Sequence, residues 1–219
     1  VEARRRLLDA GYGEPLLRAL LEETAGLPSG AAVLDVGCGE GYYLGSLLAA
    51  HGVEGHGVEA HGVDLSAAAV ELAARRHPGA TWVVANADRS LPYATGAFDL
   101  VLSIDARLNP AEMRRVLKPG GRLLVAVPAA DDLAELRAAV LGEPLLKERL
   151  ESAIARLAGG FALEGRRTVR GTARLGPDEI RDALAATYRG GRQSRRERSA
   201  AIPELEVTLS HELASFRPG

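Results

Sequence analysis

Between residues 31 and 127 the chain switches repeatedly between two rhythms. Short apolar runs at 31–36, 57–63, 81–86, 98–104 and 122–127 read as strands, whereas 40–50, 66–76, 110–117 and, further on, 131–141 space their apolar residues at helical intervals. This alternation predicts βαβ units, hence an α/β fold with a parallel sheet and helices on both faces. Upstream, 2–10 and 14–25 read as amphipathic helices broken at Gly11-Tyr12-Gly13, and Pro28-Ser29-Gly30 separates them from the first strand. Lys118-Pro119-Gly120-Gly121 predicts a stop and a turn between helix and strand. After Gly142-Glu143-Pro144 the pattern predicts a helix over 145–157, an arginine-rich strand from Phe161 to Leu175, a helix from Pro177 or Asp178 to Tyr188, an arginine-rich loop, and a closing strand near 204–216.

The sharpest local feature is Val33-Leu34-Asp35-Val36-Gly37-Cys38-Gly39-Glu40-Gly41-Tyr42-Tyr43. A strand ends in an acid, three glycines follow at alternate positions, and a helix begins. Glycines tolerate positive φ and let a ligand approach the backbone, while the first N–H groups of the helix stay free for an anionic group. The dinucleotide fingerprint G-x-G-x-x-G fails, because the sixth position from Gly37 is Tyr42. The phosphate loop G-x-x-x-x-G-K-[ST] is absent too, the lysines being Lys118 and Lys147. The turn therefore reads as a nucleoside-cofactor loop of another kind.

A five-residue unit follows three times: His51-Gly52-Val53-Glu54, His56-Gly57-Val58-Glu59 and His61-Gly62-Val63-Asp64. It reads as a duplicated loop before the second strand rather than a metal site. It offers three acids, Glu54, Glu59 and Asp64, for the end of that strand.

Composition narrows the class without naming it. With 219 residues the chain is long enough to bury roughly 70% of its unfolded surface without disulfide or metal. Cys38 is the single cysteine, which excludes an internal disulfide or a multi-cysteine zinc site and suits a reducing cytoplasm. No apolar run has the length of a membrane span. A net charge of −2 excludes nucleic-acid binding by bulk charge, so an RNA partner would need a local basic patch.

The D-x-G-x-G-x-G loop, Leu91-Pro92-Tyr93, Gly96-Ala97-Phe98-Asp99-Leu100-Val101 and Leu117-Lys118-Pro119-Gly120-Gly121 occur in the order seen in the class I S-adenosylmethionine methyltransferases, which this chain resembles. The resemblance implies a Rossmann-like seven-stranded sheet with one antiparallel strand. It implies an N-terminal helical lid over 1–30, a methyltransferase domain over 31–219, and S-adenosylmethionine as cofactor. It further implies a cofactor site drawn from Tyr12, Asp35, Gly37, Cys38, Gly39, Gly41, Tyr42, Asp64, Leu65, Asn86, Ala87, Asp88 and Ser103. A carboxylate at the end of strand two would accept from both ribose hydroxyls. Glu59 fits the usual spacing of about twenty residues better. Asp64 has the better context, followed by Leu65 and by Ser66 as a helix cap, and is preferred. Asp35 would orient the loop or reach the methionine amino group, and Asn86 or Asp88 would meet the adenine.

Three further segments, Ala3-Arg4-Arg5-Arg6-Leu7-Leu8-Asp9-Ala10-Gly11-Tyr12, Gly39–Tyr43 and Asp132-Leu133-Ala134-Glu135-Leu136, are similar to the bacterial large-subunit rRNA (guanine-N1)-methyltransferases. The family's four-cysteine zinc module has no counterpart between Val1 and Gly219. Its aromatic-Ala-Pro segment after strand four is Ser103-Ile104-Asp105-Ala106-Arg107-Leu108 here, and its late aromatic segment is Thr187-Tyr188-Arg189-Gly190-Gly191. Arg189, Arg192, Arg195, Arg196 and Arg198 offer phosphate contacts in place of the lost aromatics, with Arg166, Arg167 and Arg170 as an extension. Asp105 is the candidate base for a guanine N1 proton. The reading is an rRNA guanine methyltransferase, or a descendant of one, acting as a monomer or homodimer in the cytoplasm. A small-molecule acceptor and a SAM-binding protein with little catalysis are the alternatives.

Overall fold

The computed structural model describes residues 1–53, 57–142, 148–187 and 202–219. Its order is α1 (Glu2–Asp9), α2 (Glu14–Thr24), β1 (Ala32–Val36), α3 (Tyr42–Val53), β2 (Glu59–Asp64), α4 (Ala67–Arg76), β3 (Thr81–Val84), β4 (Phe98–Ile104), α5 (Pro110–Val116), β5 (Leu117–Pro128), α6 (Ala134–Leu141), α7 (Leu150–Leu157), β6 (Phe161–Leu175), α8 (Pro177–Thr187) and β7 (Leu205–Pro218). The strands form one sheet in the order β3-β2-β1-β4-β5-β7-β6. The first five are parallel, and β7 runs antiparallel between β5 and β6.

The pattern of burial explains this order. All five residues of β1 are buried, as a central parallel strand covered on both faces requires. Leu34 and Val36 point into a core closed by Met113 and Val116 of α5 and by Leu150 and Leu157 of α7. Val33, on the alternate face, packs with Leu8 of α1, Leu16 and Leu20 of α2 and Leu44 of α3. A third cluster joins α6 and α8 to the far end of the β6–β7 hairpin through Leu136, Val140, Ile180, Leu175 and Val207.

Several boundaries differ from the sequence pattern. β5 begins at Leu117 rather than 122, because Leu117 pairs with Phe98 before a register shift and Lys118 reaches Asp99 Oδ2 at 2.7 Å. β3 stops at Val84, and α6 starts at Ala134 after a turn in which Asp132 accepts the Ser210 N–H at 2.9 Å. The repeat is not one loop. His51-Gly52-Val53 lies within the bounds of α3 and His61-Gly62-Val63 in β2, so neighbours outside the repeat dictate its conformation. Glu54, the start of the 145–157 segment and the arginines at 189, 192, 195, 196 and 198 lie outside the described residues.

Candidate active site

The strand order reverses between β1 and β4, each starting a crossover in the opposite direction. The crevice at the carboxyl ends of such strands is where open α/β sheets bind ligands. The glycine loop occupies that place. Gly37, Gly39 and Gly41 take φ of +84°, +56° and +83°. A Cβ on Gly37 would stand 2.5 Å from the Ala106 Cβ, and one on Gly41 would stand 2.6 Å from the Trp82 ring. At Gly39 a Cβ would meet nothing within 4 Å. Two glycines thus let the loop close on the protein, and the third faces open space.

Asp64 ends β2 directly beside this loop. Its Oδ2 accepts the Gly39 N–H at 3.0 Å, and its Oδ1 accepts the Ser66 N–H at 2.8 Å. Ser66 caps α4 by accepting from the Ala69 N–H, and the next residue after the acid, Leu65, is 69% exposed. Glu59 sits at the opposite end of β2, paired with Ala32 at the start of β1, and contacts His61 at 3.0 Å. Below the loop, the Cys38 thiol is buried between Gly62 and the loop backbone, and burial raises its pKa far above that of a reactive cysteine.

Asp35 and Glu40 are both buried, and Oδ1 of the first and Oε1 of the second make no hydrogen bond among the described residues. Burial pushes the Asp35 carboxyl up to about 7; Arg4 opposes the shift, and the charges of Asp64 and Glu40 add to it. The Arg4 guanidinium, carried by α1, reaches Asp105 Oδ2 at 3.4 Å. Tyr42 and Tyr43 open α3 edge to face at 5.0 Å; Tyr43 is buried, and the Tyr42 ring closes on Gly13.

On the other side of the loop, Asn86 Oδ1 accepts the Asp88 N–H at 3.1 Å, and Asp88 pairs with Arg107 at 3.1 Å. Asn109 caps α5 and donates to the Ala87 carbonyl at 2.9 Å, fixing the 86–88 turn. Ser103 is buried in β4, one residue past the Leu102 that faces Asp35, and its Oγ makes no hydrogen bond among the described residues. The structure therefore gathers Asp35, Gly37, Cys38, Gly39, Gly41, Tyr42, Asp64, Leu65 and Ser103 around one edge, with Asn86, Ala87 and Asp88 flanking it. Tyr12 lies farther from the loop: its hydroxyl donates to the Arg174 carbonyl at 3.0 Å, its ring packs on the third cluster, and it lines a cavity together with Arg4, Asp105 and His211.

Beside the loop lies a cavity of about 330 Å³ lined by Arg4, Tyr43, Asp105, Asp132, Leu133 and His211, among others. Asp105 follows β4 with a left-handed φ of +55°, uncommon for a residue with a Cβ. Its Oδ1 lies 3.4 Å from His211 Nε2. Burial opposes ionisation of Asp105, but the His211 and Arg4 contacts outweigh it and hold the carboxyl below its ordinary range. Burial likewise opposes charge on His211, yet Asp105 and Asp132 leave its pKa raised. Glu40, Asp132 and His211 escaped the sequence reading. Glu40 looked like a spacer between glycines, and His211 stands in a strand with no motif.

Among the described residues no cluster of His, Cys, Asp or Glu is arranged to hold a metal ion, and no helix is long and apolar enough to cross a membrane. A methyltransferase-domain family profile matches residues 33–121. The 23S rRNA (guanine(748)-N(1))-methyltransferase of Streptomyces fradiae is 37% identical over 226 residues, covering 100% of this chain and 79% of its own. A Bacillus subtilis protein assigned to the same rRNA guanine-N1 group is 38% identical over 62% of this chain, and there the match spans 49% of the relative. A S-adenosyl-L-homocysteine complex of a SAM-dependent methyltransferase from Thiobacillus denitrificans shares the fold, with a TM-score of 0.57 at 18% identity over 94% of this chain and 92% of its own. With its sheet order, its loop and a relative matched along the whole of this chain in agreement, this chain is a class I S-adenosylmethionine-dependent methyltransferase and belongs to the family of the 23S rRNA (guanine-N1)-methyltransferases.

Proposed function

We propose that this methyltransferase transfers its methyl group to N1 of a guanine in 23S rRNA, in the cytoplasm. The observation that carries the reading is the 37% identity running through the whole chain, acceptor side included, to an enzyme of that name. The pocket chemistry agrees with it. A cavity of about 330 Å³ walled by Leu133 and Tyr43 and edged by Arg4, Asp105, Asp132 and His211 suits a planar base with polar edges.

The residues present fit the cofactor. The open side of Gly39 leaves room for the nucleoside chain, and Asp64 lies where a ribose diol would be held. The exposed Leu65 offers an apolar face for adenine, with Asn86 and Asp88 at its edge. The unpaired oxygens of Asp35 and Glu40 suit the methionine ammonium, as buried acceptors need a partner. The cofactor brings a methyl group already activated by its sulfonium, so the protein has to align the acceptor, exclude water and accept the N1 proton. Arg189, Arg192, Arg195, Arg196 and Arg198, with Arg166, Arg167 and Arg170 of β6, would track RNA phosphates.

The experiment is transfer of radiolabelled methyl to unmodified 23S rRNA, followed by nucleoside analysis. Label in N1-methylguanosine is the expected result. Label found solely in small molecules of a metabolite extract would refute the reading.

A further inference from the structure

We propose that His211, held by Asp105, is the group that takes the N1 proton from the acceptor guanine; this rests on the guanine-N1 reading above. The assignment differs from the one the sequence suggests, in which Asp105 itself is the base, and it follows from where the two side chains are held.

Asp105 has both carboxylate oxygens committed. Arg4 reaches Oδ2 at 3.4 Å, and His211 Nε2 stands 3.4 Å from Oδ1. A carboxylate set between an arginine and an imidazole has less affinity for a proton than the imidazole has, in keeping with its lowered pKa. His211 is placed differently. It lies on β7 opposite Pro128 of β5 and Val169 of β6, so it projects from the sheet at the same edge at which β4 delivers Asp105. Its Nε2 is buried 3.4 Å from Asp105 Oδ1, at ion-pair distance and without a hydrogen-bond partner among the described residues, and the residue lines the cavity proposed for the base. One imidazole nitrogen turned to a carboxylate and a ring bordering the pocket is the arrangement that orients a histidine base and stabilises its cation.

The groups facing the imidazole can be named element by element. They are Asp105 after β4, Asp132 before α6 and Arg4 of α1, with Tyr12 between α1 and α2, Tyr43 of α3 and Arg149 before α7 lining the same cavity. The two acids outweigh burial and the charge of Arg4 and favour the imidazolium that proton uptake creates. The Asp105 N–H donates to the Ala126 carbonyl of β5 at 2.9 Å, which fixes the backbone of this residue at the end of β4.

The step balances. The N1–H bond breaks and its proton passes to the free imidazole nitrogen. The electron pair left on N1 forms the bond to the methyl carbon, and the pair of the broken carbon–sulfur bond stays on sulfur. The imidazolium then releases its proton to solvent.

The test compares wild-type protein with His211→Asn and His211→Ala on unmodified 23S rRNA, under single-turnover conditions across pH. In the wild type the rate should rise with pH through a midpoint above the ordinary histidine value of 6.5. His211→Asn should lose about a hundredfold in rate and lose that limb, while calorimetry returns an unchanged affinity for S-adenosylmethionine. Added imidazole should restore about tenfold or more to His211→Ala, a rescue that a structural role would not give. As a readout independent of activity, NMR titration of the five histidines should find one imidazole above 6.5 that moves down in Asp105→Asn. A wild-type limb in the carboxylate range, or a His211→Asn protein with the wild-type profile, would overturn the assignment and return the role to Asp105. Absence of transfer to rRNA by the wild type would instead overturn the guanine-N1 reading, and this inference with it.

Discussion

Asp35 shows how a single residue can serve a site at a cost to the fold. Its carboxyl is buried in β1 with one oxygen unpaired, and its pKa is pushed up to about 7. The native state therefore keeps a proton that the unfolded chain releases, and stability falls as pH rises from about 4 toward 7, then levels off. Asp35→Asn removes the buried charge. It should raise stability by about 2–4 kcal/mol above pH 7, with the gain shrinking to nothing near pH 4, read from urea midpoints over that range. The same substitution should weaken binding of S-adenosylmethionine. The loop glycines separate the two demands more cleanly. Gly39→Ala costs about 1 kcal/mol of left-handed strain and puts a methyl into the open space above the loop, so calorimetry should record at least a tenfold loss of cofactor affinity on a fold that melts almost normally. Gly41→Ala drives a methyl into Trp82 and should cost about 2–4 kcal/mol of stability, seen as a clear drop in Tm.

At the scale of an element, β2 carries its candidate acids at opposite ends. Asp64 reaches two backbone N–H groups of the loop and of the α4 cap, whereas Glu59 lies at the strand's start and touches its neighbour's imidazole. About 16 Å of extended chain separates them. Asp64→Ala should abolish detectable binding of S-adenosylmethionine by calorimetry, and Glu59→Ala should leave it within about twofold. The opposite pattern would overturn this assignment. Spacing alone pointed the other way, because the count from the glycine loop leads to the start of β2, whereas the loop itself packs beside the strand's carboxyl end.

For the whole molecule, the helices before residue 31 are built into the core. Leu8, Leu16 and Leu20 are buried against β1, β4 and α3. Burial of each is worth about 1.5–3 kcal/mol, and together they approach the 5–15 kcal/mol by which a domain is typically stable. A chain starting at residue 31 should therefore lose its cooperative thermal transition, measured by circular dichroism. Retention of the native Tm would make α1 and α2 a detachable lid. The sequence made the seven strands and the loop legible because both depend on local signals, apolar period and glycine conformation. Lys118 and Asp99, part of a recognisable run, turn out to fasten β4 to β5 and to the start of β1. What stayed hidden was every contact made across the sheet. Arg4, Asp105, Asp132 and His211 come from four segments that meet only when β7 inserts between β5 and β6.

One feature of the loop reaches beyond binding. Trp82 is the sole tryptophan of the chain, and its ring closes on Gly41 and Gly62 while its indole N–H donates to the His77 carbonyl at 2.9 Å. The protein thus has a fluorophore wedged beneath its own glycine loop. Its emission reports from that loop alone, with no background from any second indole and no label attached.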